Sequence, residues 1–331
     1  MVKLSILDQS PISTGKNARD ALETSVKLAQ LGESLGYERY WIAEHHDFHG
    51  LACPNPDVML GVIGSRTKTI RIGAGAVLLP YYKPFRVAET YNLLATLFPG
   101  RIDLGLGRAP GGSAEVSMAL SDNYLKEVGK FSEKIDDLLR FLTQTMPEDH
   151  LFANIKPSPM PDIPPKVWLL GTSKKSGILA AEKGLPYAFG YFMSDFDGVA
   201  TTRFYREHFS KTYETEPYVI VAVHAICAET AEKAHKLAKS PIAWHLMQEK
   251  TNEAVKVPSI EEVDAFLWTE PDKKRMEKKK RSLIIGDPQE VKEKLEQLAR
   301  LHKADELMIL TITHDEEAKF TSYRLIAEAF Q

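Results

Sequence analysis

The sequence Ile70-Arg-Ile-Gly-Ala-Gly-Ala-Val-Leu-Leu79 is a nearly continuous apolar run, which is typical of a strand buried on both faces. Seven further runs of this kind occur along the chain, and helical spacing of apolar residues follows them. They cover residues 3–8, 39–44, 101–107, 166–170, 186–192, 218–227 and 306–312. Eight strands alternating with helices predict an α/β protein, a (β/α)₈ TIM barrel that forms a single domain over residues 1–331. A doubly wound open sheet is the alternative, since it shows the same alternation.

Two segments interrupt this alternation. Residues 145–165 contain six prolines and little helical periodicity, which predicts an irregular excursion before the fifth strand. Residues 244–281 are inserted between the seventh and eighth predicted strands and are rich in charged side chains. They have two interpretations: a mobile lid over the barrel, or a solvated helix face with a disordered flank.

Composition excludes several classes of partner. The 42 basic and 45 acidic residues give a net charge of -3, so no strongly cationic face for nucleic acid is indicated. The two cysteines, Cys53 and Cys227, lie far apart without metal-type spacing, which is typical of a reducing compartment. No apolar stretch is long enough for a signal peptide core or a membrane span. We therefore expect a soluble, cytoplasmic protein.

The segment after the second predicted strand concentrates titratable groups, as Glu44-His45-His46-Asp47-Phe48-His49. In a barrel of this kind the active site lies at the carboxyl ends of the strands. Metal binding is disfavoured, because adjacent strand residues point to opposite faces and both histidines converge only if a turn separates them. We expect one histidine to be structural and the other, His45, to transfer protons.

Small residues mark the third and fourth strands. Gly73-Ala-Gly-Ala76 indicates either a planar ring close to the backbone or relief of crowding between barrel layers. Gly105-Leu-Gly107-Arg108 lacks the third glycine of a dinucleotide-binding fingerprint. Arg108 itself has two interpretations: a bidentate phosphate contact, or an ion pair with a neighbouring carboxylate.

The segment Gly171-Thr-Ser-Lys-Lys-Ser176 precedes a predicted helix that runs to about Lys183. Free backbone N–H groups and the positive end of the helix dipole stabilise a phosphate at such a position. Ordinary capping by Thr172 or Ser173 is the alternative. Together with Arg108, this segment describes one phosphate clamp of the sort that a mononucleotide flavin needs.

Several motifs in order along the chain resemble the luciferase-like flavin monooxygenase family, and in particular its single-chain oxidoreductase branch. They are LDQSP at residues 7–11, WIAEHH at 41–46, GAGAVLLP at 73–80, RVAETYNLL at 86–94, GRIDLGLGR at 100–108, LGTS at 170–173, LPYAF at 185–189 and ELMILTITH at 306–314. The resemblance spans the chain.

This resemblance implies a barrel that binds reduced FMN, reacts it with O₂ to a C4a-peroxyflavin and transfers one oxygen atom to a small, apolar organic substrate. It implies that His45 acts as acid or base with Glu44 supporting it. Arg108, Thr172, Ser173 and Ser176 match positions around the FMN phosphate, with Gly107 and Gly171 beside them. Gly75-Ala76 matches a non-prolyl cis peptide beneath the flavin ring, and residues 244–281 match a mobile loop that shields the site from water.

Departures from the family pattern leave alternatives open. Gly107 stands where luciferase has a cysteine, and Thr172 stands where it has a glutamate, so light emission is not expected. A deazaflavin (F420)-dependent hydride-transfer enzyme and a non-catalytic flavin-binding protein are the alternative functions. Because the sequence has no nicotinamide-binding fingerprint, we expect a separate flavin reductase. The resemblance also implies a homodimer formed through the helices after the second and third strands.

Overall fold

Parallel strands close into a barrel in the computed structural model, which describes residues 2–194, 197–251 and 255–331. The strands are β1 (Lys3–Asp8), β2 (Arg39–Ile42), β3 (Arg71–Leu78), β4 (Ile102–Gly107), β5 (Lys166–Gly171), β6 (Tyr187–Gly190), β7 (Val219–Cys227), β8 (Ile284–Gly286) and β9 (Glu306–Leu310). Strands β1 to β7 pair in sequence, and β9 pairs with both β7 and β1. The ring has no open edge, so the predicted TIM barrel is confirmed and the doubly wound sheet was the wrong alternative.

Helices connect the strands and cover the outside of the barrel. They are α1 (Ala18–Ser34), α2 (Pro56–Arg66), α3 (Pro84–Leu97), α4 (Ala114–Leu120), α5 (Tyr124–Gly129), α6 (Phe131–Thr143), α7 (Lys174–Lys183), α8 (Gly198–Glu207), α9 (Ala231–Leu237), α10 (Lys239–Thr251), α11 (Ile260–Ala265), α12 (Glu270–Lys280), α13 (Pro288–His302) and α14 (Glu316–Phe330). The first helix begins at Ala18, because the Asn17 side chain caps it by accepting a hydrogen bond from the backbone N–H of Asp20.

One strand was not predicted from the sequence. Strand β8 has three residues and pairs with the end of β7 outside the ring, from Ala225 to Cys227. A run this short carries no recognisable periodicity, so its pairing depends on tertiary contacts that the sequence pattern does not report.

The two irregular segments differ in structure. Residues 146–165 contain no helix or strand, which confirms the predicted excursion. The insert at 244–281 is largely helical, because α10, α11 and α12 occupy most of it. Residues 252–254 of this insert lie outside the described residues. Helices therefore occupy this segment, and both interpretations of it, a mobile lid or a solvated helix face with a disordered flank, stay predictions.

The insert packs on the carboxyl-terminal face of the barrel. Trp244 is buried and lies against Gly50, and its Nε1 donates to the carbonyl oxygen of Val255 at 2.7 Å. Val257 donates its N–H to the carbonyl oxygen of Ile12 at 2.9 Å. These contacts attach the insert to the loops that follow β1 and β2, at the end of the barrel where an active site is expected.

A buried ion cluster fills the amino-terminal end of the barrel. Arg39 of β2 donates to Asp103 of β4 at 2.7 Å and to Glu306 of β9 at 2.7 and 3.0 Å. Tyr218 donates a further hydrogen bond to Glu306, and Arg71 pairs with Asp103. Burial alone raises the pKa of Asp103, but Arg39 and Arg71 more than offset this, so the pKa lies below its ordinary value. The charges compensate one another at a position closed to water.

An aromatic layer lies directly above this cluster. Trp41 donates its Nε1 hydrogen bond to Asp103 at 3.1 Å, and its ring meets Trp168 edge to face at 5.4 Å. A Cβ atom at Gly73 would lie 2.8 Å from Trp41 Nε1 and 2.6 Å from the carbonyl oxygen of Asp103. Crowding between barrel layers therefore explains Gly73, while Gly75 and Ala76 face the open end above it.

We predict that Arg39→Met lowers the free energy of unfolding by about 3 to 5 kcal/mol, because it leaves the carboxylates of Asp103 and Glu306 buried without their shared cation. Urea unfolding followed by circular dichroism measures this change. The control is Arg19→Met, which removes the exposed Arg19–Glu23 pair and leaves stability almost unchanged. Equal effects of the two substitutions would contradict the role given to the buried cluster.

Candidate active site

A cavity of about 380 Å³ opens at the carboxyl-terminal end of the barrel. The strand ends of β2 to β5 and the start of α7 contribute its walls. All ten residues that the sequence predicts for the site line it: Glu44, His45, Gly75, Ala76, Gly107, Arg108, Gly171, Thr172, Ser173 and Ser176. The fold therefore brings together every predicted position, and their individual roles stay predictions.

The two adjacent histidines have different surroundings. His46 Nε2 lies 2.8 Å from Glu44 Oε1, and the backbone N–H of His46 donates to the carbonyl oxygen of Gly111 at 2.8 Å. His45 lines the cavity, and its Nδ1 is buried with no hydrogen-bond partner among the described residues. The geometry thus gives the structural position to His46 and leaves the His45 imidazole available for a ligand or for proton transfer.

Burial determines the charge of His45. Desolvation, assisted by the neighbouring His46, lowers the pKa of His45 to about 4. The imidazole is therefore neutral near pH 7, and one ring nitrogen accepts a proton while the other donates one. Within the described chain, no group of three or more His, Cys, Asp or Glu side chains is arranged to hold a metal ion.

Glu44 supports this region through three hydrogen bonds. Its side chain is 1% exposed and accepts from Tyr82 Oη at 2.7 Å and from the backbone N–H of Leu78 at 3.0 Å, in addition to its contact with His46. These partners belong to β3 and to the turn after it. Glu44 therefore fixes the segment that carries His45 against the neighbouring strand.

The part of the cavity at the end of β4 and the start of α7 is cationic. Arg108 is exposed at the end of β4 and forms no ion pair with any carboxylate in the described parts of the chain. The alternative of a simple rim ion pair for Arg108 is therefore not seen. Lys175, in the first turn of α7, also lines this part of the cavity. An anion placed here meets two cations and a helix N-terminus.

The hydroxyl groups at this end are not equivalent. Ser176 Oγ donates to the carbonyl oxygen of Ser173 at 2.6 Å, lies 2.9 Å from Tyr187 Oη and accepts from the N–H of Ser173 at 3.2 Å. A Cβ atom at Gly171 would collide with this side chain. Ser176 thus shapes the loop with its hydroxyl already engaged, whereas Thr172 and Ser173 stand nearer the helix N-terminus as capping or ligand groups.

Some residues at the cavity were missed from the sequence. Lys175 lies within the predicted phosphate segment, but no pattern distinguished it from Lys174, which instead places its Nζ 5.4 Å from the Phe204 ring centroid. Trp41 and Met308 line the cavity floor and read in sequence only as strand residues. The peptide bond between Gly75 and Ala76 is cis, which the family resemblance implied.

Fold and site together define an α/β-barrel enzyme whose cavity has an apolar, histidine-bearing end and a cationic end. Comparison with known proteins gives the family. The model of the luciferase-like monooxygenase family matches residues 2–303. The N-acetyl-S-alkylcysteine monooxygenase of Bacillus subtilis is 36% identical over 331 residues, which cover 99% of this chain and 98% of that protein.

Solved structures agree with this result. The crystal structure of apo-MsnO8 superposes with a TM-score of 0.88 at 32% identity and covers 99% of this chain and 97% of that one. The oxygenating constituent of 3,6-diketocamphane monooxygenase from Pseudomonas putida, solved in complex with FMN, has a TM-score of 0.72 at 19% identity, which shows the shared fold; it covers 99% of this chain and 97% of that chain. The chain belongs to the luciferase-like monooxygenase family, and the prediction of a flavin-dependent monooxygenase class of enzyme is confirmed.

We predict that His45 makes folding stability depend on pH. Its pKa is about 4 in the folded protein and about 6.5 in an unfolded chain, so the unfolded chain binds the extra proton first. The stabilisation is complete above pH 6.5 and is lost as the pH falls towards 4. Between pH 7 and pH 5 the wild type should lose about 1 to 2 kcal/mol more than His45→Gln in urea unfolding.

The matched control for this measurement is His49→Gln. His49 lies in the same loop but is exposed, so its replacement should leave the pH dependence of the wild type intact. An identical loss of stability in the wild type and in His45→Gln would show that burial does not hold the His45 imidazole neutral.

Proposed function

We propose that this protein is an FMNH₂-dependent monooxygenase that transfers one oxygen atom of O₂ to a small, apolar organic substrate. The observation that supports this most is the division of one cavity into two ends. Arg108, Lys175 and the α7 N-terminus form an anion-binding end, and a buried neutral His45 stands at an apolar end. A planar ring that carries a phosphate on a flexible chain fits such a cavity.

The residues present fit FMN. Arg108 has no carboxylate partner in the described chain, so its guanidinium is available for the phosphate, with Thr172, Ser173 and Lys175 beside it. Gly75, Ala76 and Gly107 present no bulky side chain to the cavity, so a flat ring approaches the backbone there. Trp41 and Met308 close the floor with apolar surface.

Bound reduced FMN supplies two electrons, so that one atom of O₂ enters the substrate and the other leaves as water. His45, neutral and with an unpartnered Nδ1, accepts or returns a proton at the apolar end. The apolar walls exclude water from the same space. The insert at 244–281, which packs beside this mouth, is proposed to add to that exclusion.

The substrate is proposed to be apolar because the cavity lining contains the side chains of Leu7, Trp41, Phe192, Ala222 and Met308. The name of the Bacillus subtilis relative adds alkyl thioethers to the classes that merit testing first. A separate flavin reductase is proposed as the source of FMNH₂, since this chain carries no nicotinamide-binding fingerprint. Both cysteines are free and buried, which supports the expected reducing, cytoplasmic surroundings.

A homodimer is proposed through α2 and α3. These helices expose apolar side chains, with Val58 65% and Leu97 59% accessible. The neighbouring excursion extends the patch, because Met160 Sδ accepts a hydrogen bond from Asn92 of α3 at 3.4 Å and exposed Ile163 lies next to Gly100. A second copy packed on these helices would cover the exposed apolar side chains.

The cofactor proposal predicts that the anaerobic protein binds FMNH₂ more tightly than oxidised FMN. Arg108→Ala should weaken FMNH₂ binding about tenfold or more, because a charge-assisted contact is lost. After an oxygen pulse, the wild type should give oxygenated substrate, and the His45→Gln variant should give much less. Fluorescence titration and product analysis measure these two effects.

The matched control is Arg86→Ala, which removes an exposed arginine of α3 outside the cavity. It should bind FMNH₂ as the wild type does. If the protein binds deazaflavin F420 tightly and does not bind FMNH₂, the monooxygenase proposal is wrong and an F420-dependent hydride-transfer enzyme takes its place. Tight FMN binding with no effect of His45→Gln on oxygen chemistry would favour the non-catalytic flavin-binding alternative.

The dimer proposal predicts a change of mass in solution. The wild type should sediment as a dimer, and the pair Val62→Lys with Leu97→Lys should sediment as a monomer, because charges at these positions oppose burial. Met118→Lys, which is 71% exposed on α4 outside this patch, should stay dimeric. A wild type that sediments as a monomer would end the proposal.

A further inference from the structure

The segment that carries Arg108 has no regular secondary structure, yet several elements fix its backbone. We call residues 108–113 the arginine loop. The carbonyl oxygen of Ser113, its last residue, accepts from Ser117 at the start of α4. Three others accept from more distant segments: that of Arg108 from Tyr124 Oη at 2.7 Å, that of Pro110 from Tyr81 Oη at 2.7 Å, and that of Gly111 from the N–H of His46 at 2.8 Å. The donors come from α5, from the turn after β3 and from the loop after β2.

The two tyrosines support each other. Their rings stack with centroids 5.0 Å apart and an interplanar angle of 30°. Tyr81 also lies 2.9 Å from Ser117 Oγ of α4 and meets the His46 ring edge to face at 6.0 Å. The Tyr124 hydroxyl is thereby held at one place, directly against the residue whose guanidinium faces the cavity.

The chemistry of Tyr124 suits a fixed donor. Burial, together with Tyr81, raises the pKa of Tyr124 to about 12, so the phenol keeps its proton throughout the neutral range. Among the described residues, this phenol is also the one side chain that holds the Arg108 carbonyl. The guanidinium has no carboxylate partner among the described residues, so the contacts of Arg108 that the structure shows are those of its backbone.

We propose that Tyr124 is a positioning residue for the cofactor phosphate, acting through the backbone of Arg108. The proposal rests on the proposed binding of FMN. Arg108 binds a phosphate more tightly if its backbone is already ordered, because binding then does not include the entropic cost of ordering that backbone. Tyr124 does not contact the phosphate in this scheme, and its hydroxyl matters only while Arg108 is present.

Tyr124→Phe tests this, because the ring remains to stack on Tyr81 and the hydroxyl alone is lost. Dissociation constants are measured anaerobically for reduced FMN and for reduced riboflavin, which lacks the phosphate. We expect Tyr124→Phe to weaken FMN binding about three- to tenfold, as for one neutral hydrogen bond, and to change riboflavin binding less than about twofold. In an Arg108→Ala background the same substitution should have almost no further effect on FMN.

Tyr37→Phe is the matched control. It removes a tyrosine hydrogen bond to a carbonyl oxygen, that of Tyr323 at 2.9 Å, far from the cavity lining. It should leave both dissociation constants unchanged even where it lowers stability.

The possible outcomes distinguish failure of the role given to Tyr124 from failure of the proposed FMN binding. If Arg108→Ala weakens FMN binding selectively but Tyr124→Phe does not, the inference fails and the phosphate site stands. Equal weakening of FMN and riboflavin by Tyr124→Phe, or full additivity with Arg108→Ala, also overturns it. If the wild type binds FMN no better than riboflavin, the phosphate assignment fails and the inference fails with it.

Discussion

Arg39 lies inside the barrel between the carboxylates of Asp103 and Glu306, and the rest of the interior is arranged around that contact. It joins β2, β4 and β9 across the lumen. A buried ion pair of this kind gives little net stability compared with well-packed apolar side chains, because desolvation offsets most of the attraction. The cluster instead fixes the register of the strands. If β4 or β9 shifted by one residue, Asp103 or Glu306 would point out of the lumen, and the Arg39 guanidinium would lose a partner. The cluster therefore determines which strand residues face inward.

The position of the cavity follows from this arrangement. Because the charged cluster occupies the amino-terminal end, Trp41 reaches down to Asp103 and lies over Gly73, and Trp168 fills the space opposite. Trp41 of this layer lines the floor of the cavity together with Met308. Above it, Gly75 and Ala76 continue the same strand without filling the lumen. The small residues of β3 serve two purposes. Gly73 accommodates the Trp41 indole, and Gly75 with Ala76 leaves space for a ligand.

The sequence predicted the ring of strands because each strand is an apolar run followed by helical periodicity, and this signal is local. It also placed the site, since residues at the carboxyl ends of parallel strands converge in any such barrel. It did not predict the pairing of three-residue β8, the engagement of the Ser176 hydroxyl with Ser173 and Tyr187, or the presence of Lys175 in the cavity. These features depend on contacts between segments distant in sequence or on side-chain direction, which periodicity does not encode.

The environment of Glu44 decides how that residue contributes. A carboxylate beside an anion-binding cavity would repel a phosphate if its oxygens faced the ligand. Here the side chain is 1% exposed, and Tyr82, His46 and the backbone of Leu78 occupy its oxygens. Its oxygens are satisfied by hydrogen bonds, as is usual for buried polar groups. These contacts support the proposal that Glu44 positions the segment that carries His45, whose imidazole lines the same cavity as Arg108 and Lys175.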